Sequence, residues 1–431
     1  VYLVLSLSIL LAGDAWRFTF GWWAVGVLAA ILTGYSVALL IVQRKRWRFN
    51  NLPYPLIGFV ALAAASLAWS FYPGATALGL YTTWMIILVA LGIAVTYTWK
   101  EILRGLSVVL RIVLGLSLLF ELFVSIVLRH PLLPFNTQPG VDYSDYKKIP
   151  KMLYWCRDEL FTVLDEGRIQ GIVGNANHLG FLALLGVMVF ALQLAGRPAR
   201  RAWTILWLVI AAGTLILTRS ATVTVALVGM IIVAVAVLLV RRATSPRARA
   251  FTYAGLISVV LAGAALAVVL RGPLLAALGK SADFTGRFGI WAKVIDLAQQ
   301  RPALGWGWVS YWVPWVAPFD NLAFRNGVRQ LQAHNAWLDI WLQLGIVGLV
   351  VFAALVFSTL ARSWSFAVDR PQLSRSAGKP TVESLLPLLI LAALLIQSIA
   401  ESRLLVEFGM FFLILIAVKT KLGERADLPT D

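Results

Sequence analysis

Apolar stretches of roughly 17 to 25 residues recur from one end of the chain to the other, separated by charged residues or Gly/Pro breaks. Few folds accommodate that pattern. A helix rising 1.5 Å per residue needs about 20 apolar residues to cross a hydrocarbon layer about 30 Å thick. Spans are predicted near 1–13, 20–42, 53–71, 75–96, 105–128, 171–195, 202–217, 219–240, 251–270, 334–360, 383–400 and 403–418. The expected fold class is therefore an all-α integral membrane protein of about twelve transmembrane helices. With 60% hydrophobic residues, 13% charged residues and a mean hydropathy of +0.83, the chain does not have the composition of a soluble domain. It opens at Val1 without a cleavable signal pattern, so the first spans are expected to act as the insertion signal.

A net charge of +17 would point to nucleic acid in a soluble protein, but here the cations distribute by membrane side. Alternate connections hold Arg44, Lys45, Arg46 and Arg48; Lys100 and Arg104; Arg197, Arg200 and Arg201; Arg241, Arg242, Arg247 and Arg249; Arg362, Arg370, Arg375 and Lys379; and Lys419, Lys421 and Arg425. By the positive-inside rule these connections are cytoplasmic, as are both termini, and no nucleic-acid partner is expected. The implied division is helices 1–5 over 1–128, a first outer loop at 129–170, helices 6–9 over 171–270, a large outer loop at 271–333, helices 10–12 over 334–418 and a tail at 419–431. Cys156 stands alone, so no intrachain disulfide or cysteine-based metal site is expected.

Two outer loops are too long for plain connectors, and function is sought there. The run Lys151–Arg168 in the first is compatible with a helix at the membrane interface or with a simple cover. In the second, Ser281 or Thr285 is placed to cap a helix on which Phe284, Arg287, Trp291, Val294 and Ala298 share one stripe, with Pro302 and Gly305 ending it. All three histidines, His130, His178 and His334, fall on the outer side. Histidine ordinarily titrates near 6.5 and suits proton transfer, although a lone histidine is more often structural. Arg219 sits at a tight outer turn, where it either serves function or snorkels to lipid headgroups. Glu401 and Arg403, at another tight outer turn, are expected to pair with each other. The acidic neighbours Asp158–Glu159 and Asp165–Glu166 read as solvated charge, since adjacent residues point apart on a helix. Trp306, Trp308, Tyr311, Trp312 and Trp315 are compatible with an interfacial belt or with stacking against a sugar.

At the start of the tenth span the chain reads HNAWLDIWLQLGIVG, with His334, Asn335, Leu338, Gly345 and Gly348. This resembles the signature of the O-antigen ligase and polymerase superfamily. Three stretches agree with it in order: GNANHLG around Asn177, LTRSATVTVAL around Arg219 and TGRFGIWAKVIDLAQQRPALGWGW around Arg287. Two positions depart from the family pattern: Gln343 stands where an acidic residue is common, and Arg219–Ser220 reverses the usual Ser-Arg order.

The resemblance implies a GT-C-like fold and transfer of a glycan from an undecaprenyl diphosphate-linked O-antigen donor to a lipid A core hydroxyl at the periplasmic face of the bacterial inner membrane. Neither cofactor nor metal is implied. It assigns His334 as general base, Arg287 and Arg219 as diphosphate ligands, and Asn177, His178, Asn335, Trp291 and Arg403 as substrate contacts. The largest outer loop precedes the His334 span, which resembles a ligase more than a polymerase. A polymerase, a protein O-oligosaccharyltransferase and, more distantly, a secondary transporter using Arg111 and Glu121 remain the alternatives.

Overall fold

The computed structural model describes residues 1–137, 140–165, 167–269, 286–369 and 382–426. Its helices are α1 (Tyr2–Leu11), α2 (Gly13–Val42), α3 (Tyr54–Ala65), α4 (Pro73–Thr96), α5 (Trp99–Phe123), α6 (Ala176–Ala195), α7 (Arg201–Leu217), α8 (Ala221–Arg242), α9 (Pro246–Val269), α10 (Arg287–Gln300), α11 (Ala336–Val368), α12 (Leu386–Ser398) and α13 (Glu407–Ala426). Every apolar stretch read from the sequence carries a helix. Among the described residues, six segments are long and apolar enough to cross a membrane: Gly13–Val42, Pro73–Thr96, Trp99–Leu128, Ala176–Ala195, Ala221–Arg242 and Ala336–Val368. The chain is a multi-pass, all-α membrane protein.

Burial sorts these helices into an inner and an outer set. In α6, Leu179, Phe181, Leu182, Leu184 and Leu185 are fully buried, as are Phe408, Phe411 and Phe412 of α13. By contrast α2 turns Phe20, Trp23, Val27 and Ile31 outward, and α8 does the same with Val228, Ile231 and Leu238. A helix that is apolar all round yet exposed requires lipid on its open side. Among the packed pairs are α6 on α7, α4 on α13, α8 on α12 and α3 on α11.

One break matters for the site. At Gly345, with φ 66°, α11 leaves helical geometry, and a Cβ there would lie 2.2 Å from the Ala303 carbonyl. Residues 302–307 enter the gap and pair with the interrupted backbone. Ile346 N–H donates to Pro302 O at 2.8 Å, Trp306 N–H to Leu342 O at 3.0 Å and Gly307 N–H to Gln343 O at 2.9 Å. Irregular backbone within an apolar helix is tolerated because protein groups satisfy it. Gln343, the departure from the family pattern, joins the same arrangement: its Oε1 accepts from Val309 N–H and Ser310 N–H at 2.9 and 3.0 Å.

The long loops differ from two expectations. Lys151–Arg168 is not an interface helix; among its described residues it forms short 3₁₀ turns at Lys151–Leu153 and Leu160–Asp165. Asp158 adopts a left-handed φ of 57°, which interrupts helical propagation, and Leu132 pairs with Cys156 as an isolated antiparallel bridge. In the second loop, α10 begins after Gly286, which takes the N-cap position at φ 80°. Ser281, Phe284 and Thr285 lie outside the described residues. A two-residue hairpin follows, β1 (Phe324–Arg325) and β2 (Val328–Arg329), turned by Asn326 and Gly327 at φ 50° and 75°. Two positive φ values in succession define the type I′ turn that Asn-Gly favours.

Candidate functional site

Both long loops and three helix starts meet at a cavity of about 360 Å³. Its walls include Lys151, Arg157 and Arg168 from the first loop, Asn177 of α6, Arg287 of α10, Arg325 at the hairpin tip, Gln330, His334 and Glu401. Five cationic side chains thus line it beside one carboxylate. The positive ends of α6, α10 and α11 lie at the same place, since Asn175, Ala176, Arg287 and His334 are all lining residues.

Glu401, on the turn after α12, links three of the sequence-predicted residues. Its Oε1 accepts from Arg287 Nη2 at 2.7 Å and from Asn177 Nδ2 at 2.9 Å, and its Oε2 lies 3.0 Å from His334 Nδ1. Burial alone would raise the Glu401 carboxyl, but the His334 ring, its hydrogen bond, and the Arg287 and Arg403 guanidiniums outweigh that and hold it at about 2. Glu401 therefore does not pair with Arg403 as the sequence suggested. Arg403 Nη1 instead donates to Glu407 Oε2 at 2.6 Å, within a separate buried group that includes Asp14 and Arg17.

His334 is fixed on every side. It holds a left-handed φ of 52°, an uncommon conformation for a residue with a Cβ. Before it, Ala333 O accepts from Trp291 Nε1 at 3.0 Å and Ala333 N–H donates to Asp339 Oδ2 at 3.0 Å. After it, Asn335 N–H donates to Ser402 Oγ at 3.1 Å, and Ser402 in turn bonds Asp339. The Asn335 side chain caps α11, accepting from Trp337 N–H and Leu338 N–H. The second ring nitrogen, Nε2, faces Gln330 Oε1 at 3.1 Å, and Gln330 Nε2 is committed to Val328 O at 2.9 Å. Arg287, only 7% exposed, has no hydrogen-bond partner at its Nε among the described residues.

Other sequence-predicted residues lie apart from the cavity lining. Arg219, at φ 45°, gives its Nη1 to Val163 O at 2.5 Å and so pins the first loop. His178 is fully enclosed, stacked on Phe408 with ring centroids 5.1 Å apart and its Nδ1 3.7 Å from Asp14 Oδ2. His130 is exposed. Of the aromatic run, Trp308 and Trp312 are wholly buried, and they bond Thr83 and Asp339 respectively; Trp306 is buried as well, and Trp315 is exposed. Glu121, the strongest transporter signal, accepts from the backbone N–H groups of Gln170 and Gly171, both at 2.7 Å. Among the described residues no cluster of three His, Cys, Asp or Glu side chains could hold a metal ion.

The family model described as O-antigen ligase matches residues 206–353, which contain Arg219, Arg287 and His334. This segment belongs to the O-antigen ligase family. The chain is also similar to the exopolysaccharide production protein ExoQ of Rhizobium meliloti (strain 1021), 28% identical over 207 residues. That likeness spans 43% of this chain and 44% of the relative. Two contributors to the cavity, Glu401 and the first-loop cations, lie outside the matched segment. Sequence reasoning missed both. The Asn326–Gly327 dipeptide was a legible signal for the hairpin that carries Arg325 inward, whereas no local pattern in the first loop tied its cations to His334.

Proposed function

We propose that this chain transfers a glycan from undecaprenyl diphosphate to a hydroxyl of the lipid A core, at the periplasmic face of the bacterial inner membrane. It does so as a bundle of about twelve spans with both termini cytoplasmic and a GT-C-like arrangement. The observation that carries this reading is the His334–Glu401–Arg287 unit inside a cavity lined by cations. A diphosphate-linked sugar is already activated, so the protein must take a proton from the attacking hydroxyl and stabilise the departing diphosphate.

Glu401 accepts from His334 Nδ1–H, and Nε2, which donates to Gln330 Oε1 in the resting site, becomes the basic atom once its proton has left to solvent. The acceptor hydroxyl displaces Gln330 Oε1 from Nε2, and its oxygen attacks the anomeric carbon. The bond from that carbon to the diphosphate oxygen breaks, the electron pair leaves with the diphosphate, and the hydroxyl proton passes to His334. Arg287 contacts the diphosphate through the donors that Glu401 leaves free. Arg219 supports the same site, with Asn177, His178, Asn335, Trp291 and Arg403 around it in contact with substrate or holding those groups in place. No cofactor is required in this scheme.

Reconstitution with a carrier-linked glycan and lipid A core tests the reading. His334→Ala is expected to cut transfer by about 10²- to 10⁴-fold while the protein still inserts. Near-normal transfer by that variant would exclude His334 as the base. The likeness to an exopolysaccharide production protein favours a second reading, in which the acceptor is another lipid-linked repeat and the reaction is polymerisation. Longer carrier-linked chains formed without lipid A core would select it.

A further inference from the structure

Ser220 and Arg168 of the first loop meet on one oxygen of Asn177, whereas Arg219, next to Ser220, does not reach it. Ser220 Oγ donates to Asn177 Oδ1 at 2.9 Å, and Arg168 Nη2 donates to the same oxygen at 2.9 Å. Arg168 Nε donates to Thr218 O at 2.9 Å, so this guanidinium lies against the start of α8 although it comes from the first loop. Arg219 turns away to Val163.

Arg168 lines the cavity beside Arg157 and Lys151. Its two side-chain partners are neutral oxygens, and Arg157 Nε donates to the backbone of Lys151 at 2.9 Å. The nearby carboxylate of Glu159 is spent on Lys151 Nζ at 2.8 Å and on the Arg168 backbone N–H at 3.1 Å. Among the described residues neither guanidinium forms an ion pair. Burial, with Arg157 as the next cause, lowers Arg168 to about 10. Glu159 and Glu401 act on Arg168 only from a distance, and two like charges that face one partly enclosed space without a direct ion pair are stabilised by an anion.

We propose that Arg168, assisted by Arg157, is a second phosphate-binding point in this cavity, joined to Arg287 through Asn177 and Glu401. The inference rests on the reading of a diphosphate-linked donor. A lipid diphosphate then bridges two cationic points, whereas a lipid monophosphate engages one.

The test is binding of undecaprenyl diphosphate and undecaprenyl monophosphate to the purified full chain in detergent. The wild type is expected to prefer the diphosphate by 10- to 100-fold. Arg168→Gln should abolish that preference while leaving monophosphate affinity within about threefold. Arg157→Gln, which removes a side chain bonded only to local backbone, should reduce the preference and serves if Arg168→Gln does not fold. An equal loss of affinity for both lipids in Arg168→Gln, or a preference unchanged in both loop variants, overturns the assignment. A wild-type chain that binds neither lipid would instead defeat the underlying donor reading.

Discussion

At the residue scale, Glu401 is the group on which most depends. Its carboxylate serves Arg287, Asn177 and His334 together, so Glu401→Gln keeps the shape but removes the charge that orients the ring. Transfer is expected to fall by about 10²- to 10⁴-fold, as when the acid of a base-orienting pair is neutralised, measured as kcat for glycan transfer. The pH sign follows from its lowered value. A carboxylate held at about 2, below its ordinary 4.5, contributes stability that is fully present above pH 4.5 and is lost as pH falls toward 2. Thermal unfolding in detergent should therefore be flatter over that interval in Glu401→Gln than in wild type. Asn335→Ala separates cap from contact: about 1 kcal/mol of stability is expected to go with the cap, with donor KM unchanged. A raised KM at unchanged stability would give Asn335 a role in binding. His334 and Arg287 were legible because residue type, side of the membrane and motif agreed. The Glu401 partnership was not, because Arg403 two residues away offered a nearer pairing and only the fold turns the two side chains to different neighbours.

At the element scale, the apolar stretches located the helices well, since lipid leaves the backbone little alternative to internal pairing. What the periodicity concealed was the interruption of α11. Gly345 was visible only as a motif residue, while its meaning depends on Ala303, more than forty positions earlier. Gly345→Ala is expected to destabilise the protein by more than about 1–3 kcal/mol, because it adds a strained φ and a clash with the backbone that fills the gap. The measurement is the unfolding midpoint in detergent; an unchanged midpoint would mean the loop yields freely. The first loop resisted reading for the opposite reason. Its mixed charges fit a helical wheel, but Asp158 breaks the helix and Glu159 draws Lys151 and the Arg168 backbone into a compact fold instead.

At the scale of the whole molecule, the cavity is made by segments far apart in sequence, and no local pattern could have assembled it. On the proposed reading, the surplus of cations around it would make donor capture electrostatic in part. Raising ionic strength from about 0.05 to 0.5 M is expected to raise donor KM several-fold in wild type, and less in Arg157→Gln, because screening acts on charges that remain partly accessible. A KM independent of salt in wild type would deny the cations a part in capture.

The matched segment ends before Glu401 and begins after the first loop, so part of the cavity wall comes from outside the segment that resembles the family. That wall is not independent of the rest: Arg168 holds the same Asn177 that holds Glu401, so a change of charge or length in the first loop is transmitted through one amide to the ring of His334.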